Sequence, residues 1–193
     1  DKAESRGLGD VYKRQIYSDM FDKFESIRLP RELKISVSQI ISLSKKINTT
    51  PSLYLKAGAI HGCVLATVYE PLIYMEDIGR HNAVDKISGV MFLKNIKPRN
   101  KVFYTTGRLT SEMVLKTVTM GLPILISRSG FTEAGVSLAR RAGLTLIGRA
   151  RGGRFIALSG EERIIFDLDK LSNEVISDER SAQGQFNNES KLS

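Results

Sequence analysis

Two short stretches of the sequence crowd reactive residue types into the junctions between predicted elements. Residues 75–86 read Met-Glu-Asp-Ile-Gly-Arg-His-Asn-Ala-Val-Asp-Lys and contain His81, one of the two histidines in the chain. Residues 57–63 contain the other histidine, His61, and the single cysteine, Cys63. Charged residues and a histidine between an apolar strand and a helix indicate a functional loop, because α/β domains keep their chemistry at such junctions.

His81 lies at the predicted start of a helix, beside Arg80. We expect the helix dipole and this neighbouring cation to lower the pKa of the imidazole. A neutral imidazole of this kind could donate or accept a proton near neutral pH. The alternative is structural, because Asp77 and Asp85 could pair with Arg80 and Lys86 in an ion-pair network. Both interpretations are compatible with the sequence.

Cys63 could be a nucleophile, since positions two apart on a strand share a face and His61 would then lie beside it. The competing interpretation is a small buried residue in an apolar run, where burial raises the thiol pKa and makes the sulfur inert. We favour the buried role. Zinc deaminases need His-x-Glu and Pro-Cys-x-x-Cys motifs. The sequence has neither, so we expect no zinc site and no hydrolytic deamination.

Composition limits the classes of function. The 193 residues are 41% hydrophobic and carry a formal net charge of +8, which favours a polyanionic partner. No apolar run approaches the roughly 20 residues of a membrane span, so we predict no membrane partner. One cysteine makes no internal disulfide, so we predict a cytoplasmic protein. No basic stripe is interleaved with aromatic residues, so we predict no nucleic-acid partner.

Hydrophobic periodicity predicts strands that alternate with helices. The expected strands are 61–69, 72–75, 102–106, 124–127, 144–147, 155–158 and 164–166. The expected helices begin at a capping box formed by Ser36 and Gln39, and then at residues 80, 111 and 132. This order predicts an α/β domain whose mostly parallel or mixed sheet is covered by helices on both faces.

The chain divides into four predicted regions. Residues 1–15 resemble read-through from a cloning or sequencing adapter, and we treat them as a non-native leader. Residues 16–50 are expected to be the remnant of an N-terminal helical region, and residues 51–168 the main domain. Residues 169–193, rich in Ser, Asn, Glu and Gln, are expected to form a disordered tail.

Three loops, at residues 76–81, 105–112 and 127–133, each follow a predicted strand and precede a predicted helix. Such loops converge on one edge of an open α/β sheet, where helix N-termini present unpaired N–H groups. Small hydroxyl residues, glycine and arginine there favour an anion, although Thr, Ser and Gly can simply cap helices. Together with the Arg/Gly segment 149–154, these loops favour a phosphate or nucleotide ligand.

The segment 76–86 strongly resembles the signature of the formate dehydrogenase accessory sulfurtransferase family, often called FdhD. Further segments agree with that family in chain order, namely 58–61, 106–108, 111–116, 121–123 and 142–148. The resemblance implies a cytidine-deaminase-like three-layer α/β sandwich with a mixed sheet that lacks the zinc site. It covers residues 53–166 and is far more specific than a lone glycine motif.

The resemblance also implies a function. Members of that family accept sulfur as a persulfide from a cysteine desulfurase and pass it to the molybdenum bis(molybdopterin guanine dinucleotide) cofactor, which is delivered to formate dehydrogenase. The cofactor would be a bound substrate here, and a homodimer is one option for the assembly. The residues that we predict to bind the cofactor are His61, Asp77, Gly79, Arg80, His81, Thr106, Gly107, Arg108, Ser111, Arg149, Arg151, Gly152, Gly153 and Arg154.

One departure from the family pattern concerns the sulfur. The family's persulfide cysteine belongs to a Cys-x-x-Cys-type loop upstream of the glycine-histidine motif, and residues 1–53 contain no cysteine. We therefore predict an N-terminally truncated member without a catalytic residue in the expected position. Cys63 does not occupy that position. The alternative function is a carrier that only binds the guanine dinucleotide cofactor, so enzymatic activity of this chain stays open.

Overall fold

The computed structural model describes residues 24–167, apart from residues 25, 54, 55, 57 and 59. The predicted leader at 1–15 and the predicted tail at 169–193 lie outside the described residues. Residues 26–34 run without regular structure into the first strand. The elements that follow are β1 (Ile35–Ser36), α1 (Val37–Thr49), β2 (His61–Ala66), β3 (Pro71–Asp77), α2 (Arg80–Leu93), β4 (Val102–Thr105), α3 (Ser111–Thr119), β5 (Ile124–Ser127), α4 (Glu133–Ala142), β6 (Thr145–Arg151), β7 (Arg154–Ser159), a 3-10 turn (Glu161–Arg163) and β8 (Ile164–Ile165).

Six strands form one mixed sheet in the order β3-β2-β4-β5-β6-β7. The pairs β4–β5 and β5–β6 are parallel, whereas β2 is antiparallel to both of its neighbours and β7 is antiparallel to β6. Helices α2, α3 and α4 bury their apolar residues against one face of this sheet, and α1 covers the other face. The predicted three-layer α/β arrangement with a mixed sheet is confirmed.

Strand direction brings the functional loops to one edge. Because β2 runs opposite to β3 and β4, strands β3, β4, β5 and β6 all point the same way. We call the edge formed by their carboxyl ends and by the amino ends of β2 and β7 the rim. The three loops that were predicted to converge all leave strands at this rim, so that prediction is confirmed.

Local sequence signals set several boundaries. The side chain of Ser36 accepts a hydrogen bond from the backbone N–H of Gln39, whose own side chain accepts from the N–H of Ser36, so the predicted capping box starts α1. The Thr132 hydroxyl accepts from the N–H of Gly135 at the start of α4. That helix ends at Gly143, whose φ of 64° is a conformation that costs glycine little.

Two sequence predictions of strands need correction. The strand predicted at 164–166 is present as β8, but it pairs with β1 in a separate two-stranded sheet instead of joining the main sheet. The strand predicted at 144–147 continues to Arg151, and residues 149–154 form a hairpin between β6 and β7. Its turn residues Gly152 and Gly153 have φ values of 61° and 75°. Positive φ at both central residues is the requirement of the type I′ turn in a two-residue hairpin loop. The apolar periodicity missed this extension because the added residues are charged or small.

Candidate functional site

The middle of the rim is held by hydrogen bonds between the start of β2 and the end of β4. The N–H of Gly62 donates to Thr106 Oγ1 at 2.9 Å, and the N–H of Thr106 donates to the carbonyl of Gly62 at 2.9 Å. The N–H of Gly107 donates to Thr105 Oγ1 at 3.0 Å, and the Ser127 hydroxyl donates to the Gly107 carbonyl at 2.7 Å. The predicted residues Thr106 and Gly107 are therefore fixed in place by buried polar contacts.

Arg80 packs directly against Gly107. A Cβ at Gly107 would lie 3.1 Å from Arg80 Cβ and 3.2 Å from Arg80 Cδ, so the absence of a side chain there makes room for the arginine. Arg80 is the first residue of α2, and His61 lies at the rim end of β2, opposite Asp77 in the β2–β3 register. The structure thus brings together the predicted cofactor-binding residues of segments 61–81 and 105–111.

Several polar atoms in this region are buried and have no hydrogen-bond partner among the described residues. They are His61 Nδ1, Arg80 Nε, His81 Nδ1, His81 Nε2 and Thr110 Oγ1. Thr110 immediately precedes α3, yet its hydroxyl makes no capping hydrogen bond. We call the group His61, Arg80, His81 and Thr110 the inner anion site, because the unpaired donors Arg80 Nε and Thr110 Oγ1 lie at the starts of α2 and α3, where an anion is favoured.

Burial sets the protonation of both histidines. Desolvation lowers the pKa of His61, and the positive charge of Arg80 lowers it further. Desolvation also has the largest effect on His81 and lowers its pKa, Glu112 opposes that effect, and Arg80 adds to it. The predicted direction for His81 is confirmed, but burial has a larger effect than the neighbouring cation on which the prediction rested. Both imidazoles are therefore more readily neutral than ordinary histidines.

Glu112 is a member of the site that the sequence analysis missed. Its Oε2 lies 2.8 Å from His81 Nε2, although the two groups are not in hydrogen-bonding geometry. Glu112 belongs to the first turn of α3, a position where acidic residues are common for reasons of helix dipole alone. Because that role is common, the sequence did not predict the contact between Glu112 of α3 and His81 of α2.

The carboxylates near His81 belong to structural contacts. Asp77 accepts from the N–H of Gly79 at 2.9 Å and forms an ion pair with Lys86 at 2.7 Å, and these bonds lower its pKa to about 2. Asp85 pairs with Lys116 at 2.7 Å. The ion-pair alternative is thus realised at the start of α2, with Lys86 as the partner of Asp77.

A groove of about 560 Å³ lies on the face of the sheet that α1 covers, between α1 and the β6–β7 hairpin. Its walls are apolar, from residues such as Ile40, Ile41 and Phe155, and its cations are Lys45, Arg128, Arg151 and Arg154. The volume is within the range of about 300–1,000 Å³ that small-molecule sites occupy. We call this cavity the hairpin groove.

The floor of the hairpin groove carries polar groups. Asn48 Oδ1 accepts from Arg128 Nη1 at 3.2 Å and from the Tyr104 hydroxyl at 3.1 Å. The hydroxyl of Ser44 is buried and has no hydrogen-bond partner among the described residues. Apolar walls with a few such polar groups are typical of sites that hold an aromatic ring and fix its orientation.

The predicted Arg/Gly segment is divided by the structure. Arg151, Gly152, Gly153 and Arg154 line the hairpin groove, whereas Arg149 lies outside it, with its guanidinium 5.9 Å from the centre of the Phe131 ring. Arg149 has a φ of 54°, a strained value for a residue with a side chain, and it lies at an irregularity in the β6–β7 register.

The remaining predicted residues also lie at the rim. Arg108 is exposed in the loop after β4, and Ser111 is the first residue of α3. Within the described ranges, none of the residues of the inner anion site lines the hairpin groove. The predicted residues therefore form two groups along one edge rather than a single cavity.

Cys63 is fully buried, with an exposure of 0%. Its Sγ lies 3.5 Å from Thr105 Oγ1, and burial raises the pKa of the thiol to about 12. The predicted burial of Cys63 within a strand is confirmed. In the part of the chain that the structure describes, we find no group of three or more His, Cys, Asp or Glu residues arranged to hold a metal ion. None of the described helices has the length and apolarity to span a membrane.

The fold and the rim define a class, an α/β protein with a mixed sheet and an edge that combines helix N-termini with an arginine-containing hairpin. The sequence model of the FdhD/NarQ family matches residues 4–165. The chain belongs to this family.

Individual relatives agree. The sulfur carrier protein FdhD of Staphylococcus aureus strain MRSA252 is 32% identical over 134 residues, which are 69% of this chain and 51% of the relative. The protein of the same name from strain Newman is 31% identical over the same shares. A crystal structure described as that of a formate dehydrogenase accessory protein from Desulfotalea psychrophila is 35% identical, with a TM-score of 0.67, and the match covers 74% of this chain and 62% of that one. The chain spans about half the length of the curated relatives that it matches.

Proposed function

We propose that this chain binds the molybdenum bis(molybdopterin guanine dinucleotide) cofactor as a substrate, in the service of sulfur transfer from a cysteine desulfurase to that cofactor. The client would be formate dehydrogenase, in line with the names of the relatives. The observation that carries the proposal is the set of unpaired buried donors at the inner anion site. A cytidine-deaminase-like sandwich without zinc, a cytoplasmic location and a homodimer are parts of the same proposal.

The inner anion site supports this proposal through its chemistry. Burying a guanidinium nitrogen without a partner costs free energy, on the order of 1–3 kcal/mol for a polar group. Arg80 Nε is such an atom, and Arg80 is the first residue of α2. A phosphate oxygen would satisfy it and would be favoured by the helix dipoles. The donors thus fit the phosphate groups of a dinucleotide.

The hairpin groove supports the nucleotide part. Its apolar walls would cover an aromatic base, and Ser44 and Asn48 could select among its polar edges. Arg151 and Arg154 pair across the hairpin in the β6–β7 register, so their guanidinium groups start from neighbouring positions. Two arginine forks can hold several phosphate oxygens at once. The groove and the inner anion site would then hold different parts of one extended ligand along the rim.

The double variant Arg151→Ala, Arg154→Ala tests the proposal. We expect it to weaken binding of guanosine diphosphate by about 1.5–3 kcal/mol for each charged hydrogen bond that is lost. Isothermal titration calorimetry measures the change. A matched control removes two charges elsewhere, at the exposed residues Lys94 and Lys97, and should bind as tightly as the unmodified chain. Equal affinity for the Arg151/Arg154 variant and the control, with both folded, would refute this assignment.

A second candidate is a carrier that binds the cofactor without carrying sulfur. The observation that favours it is Cys63, because the only cysteine in the 193 residues is buried with a raised thiol pKa. In this case the chain forms no persulfide when it is mixed with a cysteine desulfurase and cysteine. The thiol should alkylate slowly in the native protein and fast after denaturation.

Replacing Cys63 with alanine supplies the control for that experiment. The variant should lose about 1 kcal/mol of the free energy of unfolding through lost packing, and it should bind guanosine diphosphate as before. Mass spectrometry of the native chain decides between the two candidates. A gain of one sulfur atom that disappears in Cys63→Ala would make Cys63 the sulfur carrier and would exclude the non-catalytic alternative.

A further inference from the structure

Two large apolar side chains project from the C-terminal end of α2. Phe92 is 85% exposed and Leu93 is 82% exposed, the highest values among the large apolar residues that the structure describes. Single exposed apolar side chains are ordinary on protein surfaces and need no explanation. Two adjacent ones beside a recess are typical of an interaction surface.

A recess of about 350 Å³ lies beside Phe92. It is built where the end of α2, the turn that follows and the end of α3 meet, and Met91, Ile96 and Met120 contribute apolar walls. The N–H of Ile96 donates to the carbonyl of Met91 at 2.9 Å and closes the turn. Methionine side chains adapt to the shape of a bound group. We call the surface formed by Phe92, Leu93 and this recess the helix-end patch.

The surroundings of the helix-end patch are positively charged. Residues 86–111 contain four lysines and two arginines and no aspartate or glutamate. Lys94 follows Leu93 directly, and Lys97 lines the recess. Both lysines are exposed, and neither forms an ion pair with a carboxylate of the described residues. Lys97 Nζ donates to Asn95 Oδ1, an uncharged acceptor, at 2.8 Å. The patch is therefore complementary to an apolar group that has carboxylates beside it.

The helix-end patch lies at the far end of α2 from the rim. This helix starts at the rim with Arg80 and has 14 residues, which is a length of about 21 Å at 1.5 Å per residue. None of the residues that line the recess lines the hairpin groove. A molecule that docks on the patch would therefore leave both parts of the rim open.

Two other occupants fit the helix-end patch less well. A second copy of this chain would bring the same lysines of both copies together, because a twofold contact uses one surface twice, and like charges repel. A flat membrane surface would attract the lysines and receive Phe92 and Leu93, but it would leave the recess unfilled. A protein segment can place an apolar side chain in the recess and carboxylates beside the lysines at the same time.

We propose that the helix-end patch is the docking site for an acidic segment of a partner protein, which inserts an apolar side chain into the recess and places carboxylates beside Lys94 and Lys97. Burial of Phe92 and Leu93 would supply most of the affinity. The lysines would mainly raise the association rate and reject segments without carboxylates. This proposal does not rest on the function proposed for the rim.

Peptide selection on the whole chain tests the proposal. A library of short random peptides displayed on phage is selected on the immobilised chain, in the presence of an excess of the soluble Phe92→Ala, Leu93→Ala variant. The soluble variant removes peptides that bind to the rim or to the hairpin groove. We expect the surviving peptides to combine a large apolar residue with several carboxylates.

Fluorescence anisotropy of a surviving peptide then measures the contribution of each part of the patch. Phe92→Ala should weaken binding at least about tenfold. Ile78→Ala is the matched control, because Ile78 is 81% exposed but lies at the rim, and it should leave the affinity unchanged. Lys94→Gln with Lys97→Gln should weaken binding and reduce its salt dependence. A peptide with amides in place of its carboxylates should show the same loss on the unmodified chain.

Four results would overturn the proposal. The first is a selection in which no peptide survives, or in which the survivors lack carboxylates. The second is equal peptide affinity in Phe92→Ala and Ile78→Ala. The third is a dimer in sedimentation velocity that Phe92→Ala dissociates, since it would assign the patch to a second copy. The fourth is binding to phosphatidylserine vesicles that depends on Phe92 and that the peptide does not compete with.

The outcome is independent of the guanosine diphosphate experiment. Replacement of Lys94 and Lys97 is the control there and should leave nucleotide binding unchanged, whereas here it should weaken peptide binding. Failure of the docking proposal would therefore leave the function proposed for the rim standing, and failure of that function would leave the docking proposal standing.

Discussion

The inner anion site and the hairpin groove occupy the same rim but are built in different ways. In the inner anion site the donors are buried, and backbone contacts around Thr106 and Gly107 hold them. In the hairpin groove the cations Arg151 and Arg154 are exposed and extend from a tight turn. The first site has few groups in fixed positions, and the second has more charge on adaptable side chains.

This difference has a physical consequence for binding. Charges that are buried before the ligand arrives have already lost their water, so each contact with a ligand changes the free energy by more than an exposed one. Exposed arginines lose side-chain entropy when they bind, and salt screens their attraction. We therefore expect the inner anion site to fix the position of a phosphate. We expect the hairpin groove to contribute buried contact area and to attract the anionic ligand from a distance.

The replacement Arg80→Gln should have the largest effect on this comparison. It removes a charged group whose Nε is buried, and we expect guanosine diphosphate binding to weaken by about 1.5–3 kcal/mol. Arg108→Gln is the matched control, because Arg108 lies on the same rim but is exposed, and its loss should cost less than about 1 kcal/mol. Calorimetry on both variants decides, and a larger loss from Arg108→Gln would reverse the roles that we assign.

The replacement Gly152→Ala should disturb the hairpin groove alone. Its φ of 61° is a left-handed conformation that costs a residue with a side chain about 1–2 kcal/mol, so the free energy of unfolding should fall by that amount. Gly89→Ala is the control, since Gly89 lies inside α2 with open space around it and should gain about 0.5–1 kcal/mol. Urea denaturation measures both, and equal signs for the two variants would contradict this account of the turn.

The smallest expected effect is a pH dependence that belongs to the inner anion site. The pKa values of His61 and His81 are lowered by burial, so the unfolded chain binds more protons than the folded chain once the pH falls below about 6.5. Stability should therefore decrease as the pH is lowered from about 7.5 to about 5.5. Thermal denaturation of the His61→Gln, His81→Gln variant should show a flatter profile in this range. A dependence as steep as that of the unmodified chain would assign it to other groups.

Asp77 affects the stability in a lower pH range than the two histidines. Its pKa is lowered to about 2 by Lys86 and Gly79, so its contribution is present above its ordinary pKa of about 3.8 and is lost as the pH falls towards 2. The two windows do not overlap. A loss of stability above pH 5 therefore reports on the histidines and not on this carboxylate.

Local signals made much of the fold predictable from the sequence. Ser36 and Gln39 form a capping box that needs only four consecutive residues, and the predicted helix followed. The convergence of the three loops also followed, because the direction of parallel strands is fixed once helices alternate with them. The burial of Cys63 could be predicted from the apolar run around it.

Contacts between distant positions could not be predicted in the same way. Glu112 and His81 meet only because α2 and α3 cover the same face of the sheet, and either residue alone has an ordinary explanation. Arg149 left the predicted cluster because of a register irregularity in β6, which no periodic pattern encodes. Arg163 donates a hydrogen bond to the carbonyl of Pro30, 133 positions away. Sequence spacing carries no information about such a pair.

The pairing of β1 with β8 brings together two segments that lie far apart in the sequence. Ile35 lies opposite Ile164, and the Ser38 hydroxyl and N–H both donate to Asp167, 129 positions away. Since β7 runs away from the rim before β8 begins, this meeting point lies at the end of the sheet opposite the rim. A circularly permuted chain that is closed on the side of β1 and β8 and opens at the turn around Thr67 and Glu70 would keep every rim contact in place. The order of the elements along the chain is thus separable from the architecture that presents the rim.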